Sequence, residues 1–127
     1  MLSFDARDLA RQVEALGEAE IDALPFGAIR LDEKGAVTFF SKAERDLSGY
    51  GARPTVGKIF FTDIAPCMAD AGFRDRLEAA RDRGTLDIAF SWTGDFADRR
   101  REMRVRIQSA SDGGVWIFMQ RPASKPA

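Results

Sequence analysis

The chain has 127 residues, no histidine, one cysteine and a formal net charge of −1. This length predicts one domain, and a composition of 45% hydrophobic and 31% charged residues is typical of a globular protein. The lack of histidine excludes Ser-His-Asp and Cys-His catalytic arrangements, histidine-ligated haem and histidine-containing zinc sites. A single cysteine excludes an internal disulfide. The balance of 19 basic and 20 acidic residues argues against nucleic acid or membrane as a partner, and the short apolar runs favour a cytoplasmic protein.

The first 24 residues are predicted to form an N-terminal helical cap. Apolar residues recur at helical spacing at Leu9, Val13 and Leu16 and continue beyond a glycine, which indicates two short amphipathic helices. Asp5 is the expected N-cap of the first helix. An apolar stripe of this kind normally packs on its own domain, and a docking surface for a partner is the alternative.

A β-hairpin and a helix are predicted next. Residues 26–31 (FGAIRL) and 36–40 (AVTFF) are strand-like, and the sequence DEKG between them is good turn chemistry. The pattern becomes helical over 41–49 (SKAERDLSG), where Ser41 can cap the helix and Glu44 stands at the capping-box position.

The remainder predicts one apolar element, one further helix and three strands. The apolar element covers 58–65 (KIFFTDIA), and an amphipathic pattern predicts a helix over about 69–83. Alternating apolar residues then predict strands around 86–93, 103–107 and 115–119. Five antiparallel strands with helices packed on one face make an α+β domain. The predicted divisions are the cap at 1–24, the core at 25–121 and a frayed tail at 122–127.

Cys67 is the one residue whose nucleophilic chemistry is specific. A lone cysteine is usually a small buried hydrophobe. Pro66 ends the preceding element, however, so Cys67 can begin a new turn whose free N–H groups favour the thiolate. On this reasoning Cys67 is a candidate attachment site.

Glu44 is the second candidate residue. The expected inward-facing stripe of the short helix comprises Phe40, Ala43 and Leu47. Glu44 follows Ala43 in the chain and therefore lies at the flank of that stripe. A solvated glutamate, or one bonded to Ser41 in a capping box, is the plain interpretation. The sharper one is a buried acid, kept protonated by desolvation, that can hold and release a proton.

Enzymatic function is not expected. An acid/base pair of Glu44 with Asp46 or Asp63 is conceivable, but Asp46 lies two residues from Glu44 on the helix and faces away. Phosphate-binding glycine loops, metal-ligand spacings and the GxSxG motif are missing. The one basic cluster is interpreted as a solvated face; it comprises Arg99, Arg100, Arg101, Arg104 and Arg106.

Three strings resemble the photoactive yellow protein family of single-domain PAS photoreceptors. They are PFGAI (25–29), VGKIFF (56–61) and DIAPC (63–67), and the likeness continues through FSWTGDF (90–96) and GGVWIFMQR (113–121). The resemblance covers nearly the whole chain and implies a PAS fold. The match to the asparagine-cysteine-arginine context of flavin-binding LOV domains is weaker.

The resemblance implies a site for p-coumaric (4-hydroxycinnamic) acid. Cys67 matches the cysteine that carries this chromophore as a thioester, and Glu44 matches the buried acid that hydrogen-bonds its phenolate. Ser48 stands where the family usually has a threonine. The cofactor-binding set implied in this way is Cys67, Glu44, Phe40, Ser48, Tyr50, Phe60, Gly94, Phe96 and Asp98.

Four positions depart from the family pattern. Phe40 replaces the tyrosine that donates a second hydrogen bond to the phenolate, and Tyr50 stands where many members have an arginine. Gly94 replaces a phenylalanine, and Asp98 replaces a methionine linked to recovery of the ground state.

Two functions remain open from the sequence. The first is a blue-light photoreceptor carrying p-coumaric acid on Cys67. The second is a chromophore-free PAS adaptor that acts through protein–protein contacts. Both imply a downstream signalling partner such as a histidine kinase, with weak homodimerisation as a further expectation.

Overall fold

The structure is a computed structural model that describes residues 2–48, 54–64, 87–93 and 102–121. Within these ranges it has three α-helices, one π-helix and five β-strands. In chain order they are α1 (Leu9–Glu14), α2 (Glu18–Asp22), β1 (Gly27–Leu31), β2 (Val37–Phe40), α3 (Lys42–Ser48), the π-helix (Phe60–Ile64), β3 (Asp87–Thr93), β4 (Glu102–Ser109) and β5 (Val115–Gln120).

The five strands form an antiparallel sheet in the order β2-β1-β5-β4-β3. Central strand β5 pairs with β1 on one side and with β4 on the other, so Ile117 lies opposite both Ile29 and Ile107. The sheet confirms the predicted five-stranded antiparallel architecture. This strand order places β1 and β5 side by side.

The hairpin between β1 and β2 forms where the sequence predicts it. The N–H groups of Lys34 and Ala36 donate to Asp32 Oδ1 at 2.8 and 2.9 Å. Gly35 has a φ of 86°, a left-handed conformation that costs glycine little because it has no Cβ. The side-chain acceptor and the glycine together fix the turn.

Strand alternation places one apolar cluster on each face of the sheet. The face that carries α3, here called the α3 face, buries Ile29, Leu31, Val37, Phe40, Phe60, Met103, Val105, Ile107, Val115, Ile117 and Met119. The opposite face, here called the N-terminal face, buries Phe4, Leu9, Ala10, Val13, Ile21, Leu24, Phe26, Ala28, Ala110, Trp116 and Phe118. The apolar stripe of the N-terminal helices therefore packs on its own domain, as predicted.

The start of the first helix differs from the prediction. Asp5 is not the cap: α1 begins at Leu9, and its N-cap is Asp8 at φ 53°. The Asp5 carboxylate instead lies 2.7 Å from the guanidinium of Arg104 on β4. The hydrogen bond from Arg104 holds the pKa of Asp5 below its ordinary value of 3.8.

Arg106 is also not the solvated residue that strand alternation predicts. Its side chain is only 12% exposed, and its Nη1 donates to the carbonyl oxygens of Phe4 and Ala6 at 2.6 and 2.8 Å. Arg106 therefore fastens the segment before α1 to β4. The neighbouring Arg104 is exposed, as predicted.

Glu14 at the end of α1 joins the helix to the sheet. Glu14 Oε2 accepts hydrogen bonds of 3.0 Å from Trp116 Nε1 and from the Ser111 N–H, and it lies 3.2 Å from Arg30 Nη2. Burial raises the pKa of Glu14, but the bonds from Ser111 and Trp116 and the charges of Arg11 and Arg30 outweigh this effect. The pKa of Glu14 therefore lies below its ordinary value of 4.5.

Replacing Glu14 by glutamine is expected to lower the free energy of unfolding by about 1–2 kcal/mol at neutral pH, because charge-assisted hydrogen bonds are lost. A depressed folded pKa means that Glu14 stabilises the fold above its unfolded pKa and stops doing so as pH falls through its folded pKa. The difference between wild type and Glu14→Gln, measured by urea unfolding, should therefore shrink in acid. A difference that does not change with pH would contradict this. Exposed Glu102→Gln is the control, with an expected change within about 0.5 kcal/mol.

Several predictions lie outside the described residues. They include the helix over 69–83 and the tail at 122–127, and the division of the chain into cap, core and tail stays a prediction. In the described part of the chain, no helix has the length and apolar character needed to span a membrane.

Candidate functional site

Glu44 is buried on the α3 face of the sheet. Ser41 caps α3, since its Oγ accepts a 3.1 Å hydrogen bond from the Glu44 N–H and a 3.0 Å bond from the Ala28 N–H of β1. This double role draws the first turn of α3 against β1. The Glu44 side chain, only 1% exposed, consequently points into the protein.

Gly27 on β1 provides the space for this carboxylate. A Cβ added at Gly27 would overlap Glu44 Oε1 and would lie 2.8 Å from Glu44 Cδ. Gly27 pairs with Met119 of β5, so the carboxylate lies where these two strands meet. This explains why the PFGAI string has a glycine at position 27: a side chain there would occupy the space of the Glu44 carboxylate.

Arg121 forms a bidentate ion pair with Glu44. Its Nη1 and Nη2 donate to Glu44 Oε1 and Oε2 at 2.8 and 2.9 Å, and its side chain is only 4% exposed. Nη2 also lies 3.9 Å from Met119 Sδ. A fork of two parallel N–H···O bonds is a common geometry of arginine–carboxylate ion pairs.

The two plain interpretations of Glu44 are therefore wrong. Glu44 is not solvated, and it does not complete a capping box because the Ser41 N–H donates to the Ala28 carbonyl. It is a buried acid, as the sharper interpretation holds. Arg121 supplies a compensating charge beside this acid, which opposes the protonation that desolvation alone would favour.

Phe40 and Phe60 are buried in the same apolar cluster. The guanidinium of Arg45 lies 5.3 Å from the centre of the Phe40 ring and donates to Thr55 Oγ1 at 2.7 Å. The Phe60 N–H donates to the carbonyl of Gly35 at 3.0 Å, which joins the π-helix to the hairpin. Two predicted site residues thus lie in one apolar cluster on the α3 face.

The remaining predicted site residues lie mostly outside the described ranges. These are Cys67, Tyr50, Gly94, Phe96 and Asp98, and Ser48 is described only as the last backbone position of α3. Among the predicted residues, the structure brings Glu44, Phe40 and Phe60 to one face of the sheet. The predicted inward stripe of α3 is wrong at Leu47, which is 38% exposed.

No acid pair forms between Glu44 and either aspartate of the enzyme hypothesis. Asp46 and Asp63 are both exposed, whereas Glu44 is buried. Asp63 Oδ2 accepts a 2.9 Å hydrogen bond from the Ile59 N–H at the start of the π-helix. Asp63 therefore has a structural role in that turn.

Arg121 is the site residue that sequence reasoning missed. Ile117 and Met119 alternate onto the α3 face of β5, and Arg121 continues the same alternation. The sequence signal for Arg121 is that a charged residue continues the row of inward-facing residues on β5. It indicates a buried counter-charge at that end of the strand.

The arrangement is a buried ion pair at one end of an apolar sheet face. The chemistry of this arrangement matches a group whose body is apolar and whose tip carries one hydrogen-bonding oxygen. The carboxylate accepts from a protonated tip, and the guanidinium stabilises an ionised one. This is recognition chemistry and requires no bond to be made or broken by Glu44.

Comparison with known proteins supports a sensory function. A family profile described as the PAS fold matches residues 15–122. Photoactive yellow protein from Rhodothalassium salexigens is 34% identical over 122 residues, covering 95% of this chain and 98% of that protein. The Halochromatium salexigens protein of the same name is 29% identical over 122 residues, with the same coverage of 95% and 98%.

Solved structures share the fold of this chain. The crystal structure of the photoactive yellow protein domain from the sensor histidine kinase Ppr of Rhodospirillum centenum has a TM-score of 0.72 and 33% identity, covering 86% of this chain and 96% of that one. A PAS domain from Colwellia psychrerythraea, at 11% identity over 93% of this chain and all (100%) of its own, shares the fold with a TM-score of 0.61. The chain therefore belongs to the photoactive yellow protein family of PAS-fold sensory domains.

Proposed function

We propose that this protein is a blue-light photoreceptor that carries p-coumaric acid as a thioester on Cys67, with the phenolic oxygen directed at Glu44. The observation that supports this most is the buried Glu44 carboxylate beside an apolar wall, at the position that matches the chromophore-binding acid of the family. Photoactive yellow proteins at 34% and 29% identity over 95% of the chain make the transfer of this function reasonable.

The described residues fit such a group. A hydroxycinnamoyl group has a flat apolar body and a single oxygen at its far end. Phe40 and Phe60 offer apolar surface, and the ion pair of Glu44 with Arg121 offers both an acceptor and a donor for that oxygen. In this proposal the rest of the pocket comes from Ser48, Tyr50, Gly94, Phe96 and Asp98.

Attachment would be a transacylation on Cys67. Its Sγ forms a bond to the carbonyl carbon of an activated hydroxycinnamoyl thioester, the carrier thiol leaves, and the thiol proton of Cys67 goes to that carrier. The bound group would supply light absorption and double-bond isomerisation. The chain's own residues would orient it, exclude water and hold the proton of its phenolic oxygen.

Loading of the purified chain tests this proposal. Incubation with a p-coumaroyl thioester of a small thiol is expected to add the mass of one acyl group to the intact protein and to produce a visible absorption band. The variant Cys67→Ser should show neither, because oxygen replaces the attacking sulfur. Thr62→Ser is the control, since it leaves the thiol in place and should load like wild type. A folded wild-type chain that gains no mass overturns the proposal.

A chromophore-free PAS adaptor is the second candidate function. It is favoured by Phe40, whose ring has no hydroxyl to donate to a phenolate. On this hypothesis the chain acts in the cytoplasm on a signalling protein such as a sensor histidine kinase, with weak homodimerisation. Two results together would support it. The chain should carry no acyl group when it is purified from its host, and wild type and Cys67→Ser should bind the kinase equally.

A further inference from the structure

A groove of about 340 Å³ lies on the N-terminal face of the sheet, where α1 and α2 meet β1, β2 and β5. This groove, here called the N-terminal groove, is on the side of the sheet opposite Glu44. Its volume falls at the lower end of the range for ligand sites in proteins. Six of its lining residues are Glu14, Leu16, Glu18, Arg30, Phe39 and Asp112.

One wall of the N-terminal groove is apolar. Leu16 and Phe39 are both partly buried and pack against the apolar cluster of the N-terminal face, so each keeps some surface that water can reach. The centre of the Phe39 ring lies 6.2 Å from the centre of the Trp116 ring, which also lines the groove. An alkyl chain that covers this wall would remove apolar surface from water, and this favours binding.

The N-terminal groove also carries an excess of negative charge. Nη2 of Arg30 lies 3.2 Å from Glu14 Oε2 and 3.2 Å from Asp112 Oδ2. Glu14 Oε1 is also 2.9 Å from Nη1 of Arg11, so two carboxylates face two guanidiniums. Glu18, the first residue of α2, is exposed and forms no ion pair with any residue of the described ranges. One carboxylate of the groove is therefore without a counter-charge in this part of the chain.

We propose that the N-terminal groove is a docking site for a lysine side chain on an apolar segment of a partner protein. Lysine carries a compact ammonium on a flexible alkyl stem, so it can cover the apolar wall with the stem and keep the ammonium at the wet rim. Glu18 and the half-exposed Asp112 offer carboxylates to that ammonium, and the face of an aromatic ring such as Phe39 also attracts a cation. An acidic segment would instead meet the excess carboxylate, which disfavours it.

This inference goes beyond the proposed function and does not depend on the chromophore. It takes from the family assignment only the expectation that a sensory domain has a signalling partner. Glu44, Phe40 and Phe60 do not line the N-terminal groove. The chain can therefore be tested without an attached acyl group.

Trp116 provides a reporter inside the groove. The chain has two tryptophans, and the variant Trp92→Phe leaves Trp116 as the only one. The indole N–H of Trp116, which donates to Glu14 Oε2, then gives the single indole signal in a proton–nitrogen NMR correlation spectrum. Titration of this unloaded variant with acetyl-Leu-Lys-Leu-amide should shift the signal along a saturable curve, which gives the dissociation constant.

Three further peptides separate the charge from the apolar contact. Replacing the lysine of the peptide by norleucine, which keeps the stem and removes the charge, should weaken binding about 2–5-fold. Replacing it by glutamate should weaken binding about 5-fold or more, because like charges repel. Replacing both leucines by glycine should weaken binding about 5-fold or more, because the apolar contact is lost.

Variants of the chain test the role of Glu18. Glu18→Gln should weaken binding of the lysine peptide about 2–5-fold and change that of the norleucine peptide less than about 2-fold. Glu18→Lys should weaken binding of the lysine peptide about 5-fold or more, and it should bind the glutamate peptide more tightly than the parent chain does. The control is Glu102→Gln, which removes an exposed carboxylate outside the groove and should change the affinity less than about 2-fold. Circular dichroism checks that each variant folds.

The outcomes separate this inference from the proposed function. Equal affinity for the lysine and glutamate peptides would overturn the inference, and so would an unchanged affinity in folded Glu18→Lys. If n-butylammonium binds as tightly as the lysine peptide, the groove is a site for small amines and not for a protein segment. A Trp116 signal that does not move up to the solubility limit of the peptide also rejects it. Failure of the wild type to gain an acyl group rejects the photoreceptor alone, since the peptide titration uses the unloaded chain.

Discussion

Replacing Glu44 by leucine is expected to lower the free energy of unfolding by about 3–5 kcal/mol, because it leaves a buried guanidinium without its carboxylate. Arg121 cannot release its proton, and at 4% exposure its side chain has little access to water. The uncompensated charge therefore persists at neutral pH, where the loss should be observed. Urea unfolding followed by circular dichroism measures it.

The reverse variant, Arg121→Met, should behave differently. It leaves a buried carboxylate, which neutralises itself by binding a proton, so its stability deficit should shrink as the pH falls. The double variant Glu44→Leu/Arg121→Met replaces the ion pair by apolar side chains of similar volume, a change that is often neutral in other proteins. It should therefore recover most of the stability that Glu44→Leu loses. Additive losses in the double variant would show that the two residues do not stabilise the fold as a pair.

The strands and turns could be predicted because their causes are local. Alternation places Met103, Val105 and Ile107 on one face, and the structure buries all three. Asp32 and Gly35 fix the hairpin by a side-chain acceptor and a left-handed backbone, which depend on the turn sequence alone. Such features need no knowledge of the rest of the chain.

The errors have long-range causes. Asp5 is a reasonable helix cap by its local sequence, but Arg104, which is 99 residues away, binds its carboxylate. The partner of the Glu44 carboxylate, Arg121, likewise lies 77 residues further along the chain. Desolvation alone favours a protonated acid, and only the tertiary fold shows that a cation lies beside it. Local reasoning thus identified the buried acid but not its partner.

The substitution Gly27→Ala is expected to cost about 3 kcal/mol or more of unfolding free energy, because the added methyl group would occupy the position of Glu44 Oε1. Displacing this oxygen also breaks the bidentate pair with Arg121, which adds to the cost of overpacking. The control is Gly17→Ala, whose new Cβ would meet its nearest neighbour, Glu20 Oε1, at an ordinary 3.7 Å. As an N-cap replacement, it should cost about 1 kcal/mol or less.

The cause of this loss can be isolated by repeating Gly27→Ala in a chain that already carries Glu44→Ala and Arg121→Met. There the carboxylate is gone, and the closest remaining atom of residue 44 is its Cβ, at 3.0 Å from the new methyl group. The cost of Gly27→Ala should fall well below its value in the wild type, because a tight contact of this kind relaxes by a small shift. An equal cost in both backgrounds would mean that β1 rejects a side chain at this position for a reason other than Glu44. A reduced cost would identify Gly27 as the residue that makes room for the buried acid.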